Sequence, residues 1–233
     1  MTRVVINQSN YIPWKGYFDL IHDADIFIFY DDAQYTKNDW RNRNKLKCNE
    51  STLWLTIPVG IDLNRRICDV SINNYKWQSK HLKTIIQLYS KAPYFNYLKD
   101  FLEEVYIENK WHNLSVLNQF IIKKIARDFL GIKACFLNSA DLQCEGKGQD
   151  KVLNLLKSVS ATTYLSGPAA KNYLLPSSFE QENIELIWKD YSGYPEYHQF
   201  YPPFEHAVSI IDLIMNTGKE APHYIWGWRS RLT

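Results

Sequence analysis

The chain has 233 residues, 45% of them hydrophobic, enough to bury a sizeable core. With 27 basic against 25 acidic side chains its formal net charge is only +2, so no global field draws nucleic acid or an anionic membrane. The four cysteines form no C-x-x-C pair, and no apolar run approaches the roughly 20 residues that span a bilayer, which disfavours cysteine metal sites and membrane insertion.

In chain order, Val4-Val5-Ile6 is a β-branched run expected to be a strand. A polar and aromatic loop from Asn7 to Trp14 follows, then a helix-period segment from Gly16 to Ile21, then a second strand at Ile26–Tyr30. Parallel strands need such a crossover, so this is a βαβ unit whose loop lies at the carboxyl end of its first strand. Asp31 and Asp32 end the second strand on the same edge. Leu53–Val59 alternates as a third strand, with Pro58 marking an edge or end. Helices are expected at Ser79–Tyr89, Leu98–Tyr106 and Leu114–Leu130, a mainly helical segment around residues 79–131.

An α/β rhythm then resumes. Strands at Cys135–Leu137, Thr162–Ser166 and Ile184–Trp188 alternate with helices at Lys151–Ser158 and Ala169–Leu174. A stretch dense in Tyr and Pro from Tyr191 to Pro203 leads to a closing helix at Val208–Met215, and Trp226, Trp228, Arg229 and Arg231 suit a docking terminus. The expected fold is one α/β domain over residues 1–233: a mostly parallel, Rossmann-like or HUP-like sheet with flanking helices and a helical insertion. The absence of a secretory pattern before Val4 points to a cytoplasmic protein with reduced thiols.

Four constellations offer chemistry. In Asn7-Gln8-Ser9-Asn10-Tyr11-Ile12-Pro13-Trp14-Lys15-Gly16, side-chain amides can read a polar ligand, the aromatics suit sugar or base faces, and Gly16 opens a helix start toward anions. A self-satisfied turn is the bland alternative. Asp31-Asp32-Ala33-Gln34-Tyr35 supplies carboxylates of which one is expected to face the site, as proton acceptor or ammonium partner. The same constellation runs on into Arg41, Arg43, Lys45 and Lys47, which alternate by twos, so an extended chain would place all four on one side, where Arg forks match phosphate oxygens. Tyr164–Lys171 runs through the small turn Ser166-Gly167 toward Lys171, a weak phosphate-cradle pattern without the P-loop spacing. Finally His198 or His206 with Glu205 could serve as base, although a packed histidine is commoner. No zinc-hydrolase, serine or cysteine nucleophile signature is present, and no metal is expected.

Together these blocks resemble the WbqC-like family of O-antigen and other surface-polysaccharide gene clusters. The resemblance rests on Gln8, Asn10, Tyr11, Pro13-Trp14, Gly16–Asp19, Asp31-Asp32, Gln34-Tyr35, Trp40–Arg43, Trp54–Thr56, Tyr164–Gly167, Ser209-Ile210 and Asp212-Leu213. Asn7 stands where the family usually opens with His, so a proton-shuttling histidine there is not available to this chain. The resemblance implies a transferase that moves an aminoacyl group, such as glycyl, to the amine of a nucleotide-linked amino sugar. On that reading Tyr11 or Trp14 stacks the ligand, Arg41 and Arg43 hold its diphosphate, and Asp32, Asp31 or His206 takes the amine proton. Asn7, Gln8, Asn10, Gly16, Gln34, Tyr35, Ser166, Gly167 and Lys171 complete the binding residues. The implied donor is an adenylate, a carrier thioester or an aminoacyl-tRNA, with ATP a candidate co-substrate and no permanently bound cofactor. A weaker echo of HUP-type adenylating enzymes lacks their His-x-Gly-His signature. A non-catalytic binding module and a homo-oligomer stay open as alternatives.

Overall fold

The computed structural model describes residues 1–49 and 51–229. Five short strands form a parallel sheet in the order β5-β2-β1-β6-β7: β1 Arg3–Asn7, β2 Ile26–Phe29, β5 Cys135–Asn138, β6 Thr163–Ser166 and β7 Glu185–Trp188. Parallel strands are covered on both faces and read as apolar runs, which is why these segments stand out in the sequence. Val5, Phe27, Phe29 and Leu165 face one core. Val4, Ile6, Ile28 and Tyr164 alternate with them and face the other. The first core takes helices α1 (Lys15–His22), α2 (Lys76–Tyr89), α4 (Leu114–Lys124) and α7 (Ile210–Thr217). The second takes α5 (Gly148–Ser158) and α6 (Pro176–Gln181), while the short α3 (Lys99–Glu103) buries Phe101 and Leu102 in the first. The architecture is α/β and Rossmann-like. No helix among the described residues is long and apolar enough to cross a membrane.

This strand order positions the site. The chain moves outward from β1 through β2 to β5, then returns to the other side of β1 for β6 and β7. Backbone pairing between β1 and β6 covers only Arg3 with Thr163 and Val4 with Tyr164, although the strands run on to Asn7 and Ser166. They therefore part at their carboxyl ends, and that reversal is where open α/β sheets hold ligands.

One expected strand lies apart from the main sheet, and one expected helix differs in kind from the sequence reading. The segment Leu53–Val59 belongs outside the main sheet: β4 (Ser51–Thr56) pairs antiparallel with β3 (Arg43–Cys48) in a separate hairpin. The expected helix at Ala169–Leu174 is a single 3₁₀ stretch, Pro168–Asn172. The hairpin buries Leu46 and Leu55 against the first core. It is held to α2 and α7 by Tyr89, whose hydroxyl accepts from the Lys47 amide at 3.0 Å and donates to Asp212 at 2.8 Å. Asp212 also accepts from Tyr197 at 2.6 Å and Gln199 at 2.9 Å, while burial pushes its carboxyl above the usual range.

A second buried network fixes α2 against the loop after β1. The Thr56 carbonyl can only accept, so His81 Nε2 donates to it across 3.2 Å, leaving Nδ1 to accept from the Tyr11 hydroxyl at 2.9 Å. Tyr106 then donates to the Tyr11 oxygen at 2.6 Å. Every proton has a place only if the imidazole is neutral, and burial lowers the His81 pKa to about 4. Between the ordinary histidine value and about 4 the unfolded chain binds a proton that the folded one refuses, so stability falls as pH drops through that window. The thermal midpoint should decline between about pH 6.5 and 4 in a melting series. A His81→Gln variant should show a shallower decline, and an equal slope in both proteins would refute the assignment.

Candidate functional site

The loop between β1 and α1 is held rigidly from several sides. Ser9 donates its amide to Asp31 at 2.8 Å, Tyr11 donates its amide to the Trp40 carbonyl at 3.0 Å, and Asn44 caps the Tyr11 and Ile12 carbonyls at 3.0 and 2.9 Å. Asn118 donates to the Arg41 carbonyl at 2.8 Å, so the loop and the Trp40-Arg41 segment are fixed by common partners. Trp14 precedes α1, and a Cβ on Gly16 would lie 2.3 Å from its indole. Gly16 thus lets the Trp14 ring fold onto the helix start, rather than opening that start to a ligand.

Trp14 in this position walls two adjoining cavities. One, of about 350 Å³, lies where β1 and β6 part and includes Asn7, Asn10, Trp14, Arg41, Ser166 and Tyr191 among its lining. The other, of about 310 Å³, shares Asn10, Trp14 and Trp40 with it and adds Pro13, Asn44 and Ala207. Arg41 is the cation of this crevice. Its side chain is 12% exposed, it donates to Asn10 and lies 3.6 Å from Asp39, and its Nε–H is buried without an acceptor. Burial lowers its pKa, and Asp39 partly offsets the effect. An enclosed guanidinium with unused donor capacity between aromatic walls is arranged for an anionic ligand with a flat or sugar-like portion.

Asp32 lies further along the same edge, past the end of β2. It accepts from Ser139 and forms an ion pair with Lys151 of α5, and it lines a larger cleft of about 840 Å³. Asp31 turns the other way and is 4% exposed, accepting from the Ser9 amide, Ser115 and Gln119. Both carboxylates touch a small cavity of about 220 Å³ beside Ser115 and Ser139.

The sequence matches the WbqC-like protein family over residues 8–224. The chain belongs to that family. A relative from Mycobacterium tuberculosis (strain ATCC 25618 / H37Rv), named "Uncharacterized protein Rv1507c", is 41% identical over 227 residues, covering 97% of this chain and 98% of the relative. No solved structure matches the chain.

In this WbqC-like fold the expected binding residues separate into two groups. Asn7, Asn10, Trp14, Arg41, Ser166 and Gly167 meet at the crevice, while Gln34 lines the larger cleft. Tyr11 does not: it is 0% exposed and its hydroxyl belongs to the His81 network, so its ring cannot stack a ligand. Tyr35 is likewise buried, with the Arg65 guanidinium 5.3 Å from its ring centre. Gln8 is half-buried, and its carbonyl accepts from Tyr17 at 2.9 Å.

The basic alternation does not make one patch. Arg41 precedes the strand and enters the crevice, and Arg43 lies over Trp54 at 4.3 Å and donates to the Asn38 carbonyl. Lys47 is buried and donates to the turn carbonyls of Cys48, Asn49 and Ser51. Arg43 lines neither cavity of the crevice, so the expected grip of Arg41 together with Arg43 on one diphosphate is not formed there. Lys171 is exposed, 5.7 Å from the Trp188 ring, and lines neither the crevice nor the cleft. His206 is also largely exposed, packed on Phe204, and shares no cavity with Asp32; its partial burial and nearby Lys15 lower its pKa. Sequence reasoning missed Lys151, Ser139 and Tyr191, which reach the edge from distant segments.

One metal-like cluster is already filled. Asp19, His22 and Asp23 bring ligand atoms within 4.8 Å of one another. Lys189 sits 2.9 Å from Asp19 and 2.6 Å from Asp23, and Arg229 donates to Asp19 at 3.0 Å. Burial opposes ionisation of Asp23, yet His22 and Lys189 prevail and hold it at about 2. Protein cations occupy the place a metal would take. Arg229 is therefore the docking contact of the terminus, whereas Arg231 lies outside the described residues.

Proposed function

We propose that this WbqC-like protein serves surface-polysaccharide biosynthesis by transferring an aminoacyl group, of the glycyl kind, to the amine of a nucleotide-linked amino sugar. The observation carrying the reading is the Arg41 crevice at the parting of β1 and β6, with a buried cation, two asparagine side chains and aromatic walls from Trp14 and Tyr191. A sugar nucleotide would set its diphosphate on Arg41, read its hydroxyls through Asn7 and Asn10, and rest a ring on Trp14. Its amine would extend along the sheet edge toward Asp32. There the amine nitrogen attacks the acyl carbonyl carbon, the new C–N bond forms, and the bond to the leaving group breaks with its electron pair. The amine proton passes to Asp32, whose place is held by Ser139 and Lys151. The leaving group is an adenylate's AMP, a carrier thiol or a tRNA.

One observation favours a second reading, a non-catalytic carrier of the same ligand: Asp32 already has a cationic partner in Lys151. The Asp32→Asn variant separates the two. For a transferase it should retain sugar-nucleotide affinity by calorimetry while losing about a hundredfold in turnover, followed as the mass gain of the amino sugar. Unchanged turnover would remove Asp32 as base, and no mass gain with any donor class in the wild-type protein would leave the carrier.

A further inference from the structure

The larger cleft has no binding role in the reading above. Its walls come from three separate segments: Tyr30 and Asp32 after β2, Arg65 and Arg66 after the hairpin, and Lys147 and Lys151 at the start of α5. Four cations thus face two carboxylates of the lining, Asp32 and Asp69. Lys151 pairs with Asp32, and Arg66 pairs with Asp69 at 2.7 Å. Arg65 and Lys147 have no carboxylate partner among the described residues. Arg65 is nonetheless held in place: it donates to the Val59 carbonyl, its guanidinium lies over Tyr35, and its Nε–H is buried without an acceptor.

In a chain so close to neutral this is a local excess of positive charge lining a concave space, which concentrates anions. At about 840 Å³ the cleft far exceeds a single phosphate and matches the size of a whole small-molecule substrate. The half-buried Tyr30 ring on its wall, 5.8 Å from the Lys151 ammonium, supplies an aromatic face beside the cations. Oligophosphate and flat base are the two chemistries that such a lining receives together. The cleft lies past the end of β2 and the Arg41 crevice past the ends of β1 and β6, the next strands in the sheet order, so the two spaces follow one another along one edge.

We propose that this cleft binds a nucleoside triphosphate, with its phosphates on Arg65 and Lys147, as a second substrate beside the ligand of the Arg41 crevice. Its role as a second substrate rests on the transferase reading; the binding site stands without it. A triphosphate held here sits next to Asp32 and therefore next to the acceptor amine, which singles out the adenylate among the donor classes: the carboxylate of a free amino acid attacks the α-phosphorus, the acyl–phosphate bond forms as the α–β anhydride bond breaks, and pyrophosphate leaves before the amine displaces AMP.

The test is calorimetric titration with three probes, ATP, inorganic pyrophosphate and a UDP-linked amino sugar, each run on the wild-type protein and on Lys147→Ala, Arg65→Ala and Arg41→Ala. Lys147 is exposed, so its variant keeps the fold even if Arg65→Ala does not. ATP should bind with the amino-sugar nucleotide already present, be displaced by pyrophosphate, weaken at least tenfold in Lys147→Ala and be unchanged in Arg41→Ala. Three outcomes overturn the site: no ATP binding, ATP binding indifferent to Lys147→Ala, or ATP lost in Arg41→Ala and displaced by the sugar nucleotide. Failure of the sugar-nucleotide arm alone counts against the transferase reading and leaves the triphosphate site standing.

Discussion

Replacing Asp19 by alanine is expected to destabilise the protein by about 3–5 kcal/mol, the range for breaking a buried ion pair from one side. Asp19 is 0% exposed in the middle of α1 and accepts from Lys189, Arg229 and Tyr194. Without it the Lys189 ammonium, also buried, keeps only Asp23 as a carboxylate partner, and Tyr194 loses its acceptor. The cost comes mostly from the stranded cation, so it should shrink when Lys189→Met is added. A coupling above about 1 kcal/mol in a denaturant double-mutant cycle is expected, and strict additivity would contradict the account. The effect should also reach the crevice, because Tyr194 packs edge-on against Trp14 and lies three residues from Tyr191, which lines it. A ligand that binds there should therefore raise the melting midpoint of the wild-type protein more than that of Asp19→Ala.

The five sheet strands were legible because each is a short apolar run between turns, the pattern that burial on both faces demands. The hairpin was only half legible for the complementary reason. Arg43–Cys48 carries one aliphatic residue, Leu46, and its other buried positions are Asn44 and Lys47, whose burial depends on carbonyls in distant loops or in the turn. Nothing local marks a buried lysine as a turn clamp. The same limit applies to the basic alternation: period-two spacing holds only within a strand, and Arg41 lies before the strand begins.

The carboxyl edge itself was readable from order alone, since a polar loop and paired aspartates after consecutive parallel strands must share an edge. Which loop residue faces outward was not. Ile12 has φ +38, an unusual turn for a β-branched residue, and around it Tyr11 and Ile12 go to the core while Trp14 stays on the crevice wall. Two aromatics three residues apart in one polar loop look alike until that turn is known. Lys151 and Arg65 were equally hidden, as the first meets Asp32 from 119 residues away and the second reaches the cleft from an irregular segment.

Arg41→Ala should abolish sugar-nucleotide binding in practice, with a loss of about 3–6 kcal/mol, roughly two to four orders of magnitude in Kd. Two charge-assisted hydrogen bonds to a diphosphate disappear together, and each is worth about 1.5–3 kcal/mol. Arg41→Lys should recover only part, since a lysine cannot keep the Asn10 contact and a two-pronged grip on phosphate at once. Folding must be separated from binding here, because Arg41 also neutralises Asp39 and its carbonyl is capped by Asn118. The backbone contact survives substitution, and Asp39 keeps Thr36 and the Trp40 amide as donors, so the melting midpoint should fall modestly while affinity collapses. Calorimetry beside thermal melts reads both quantities on one sample. Affinity within tenfold of wild type in a folded Arg41→Ala protein would take the diphosphate away from this crevice.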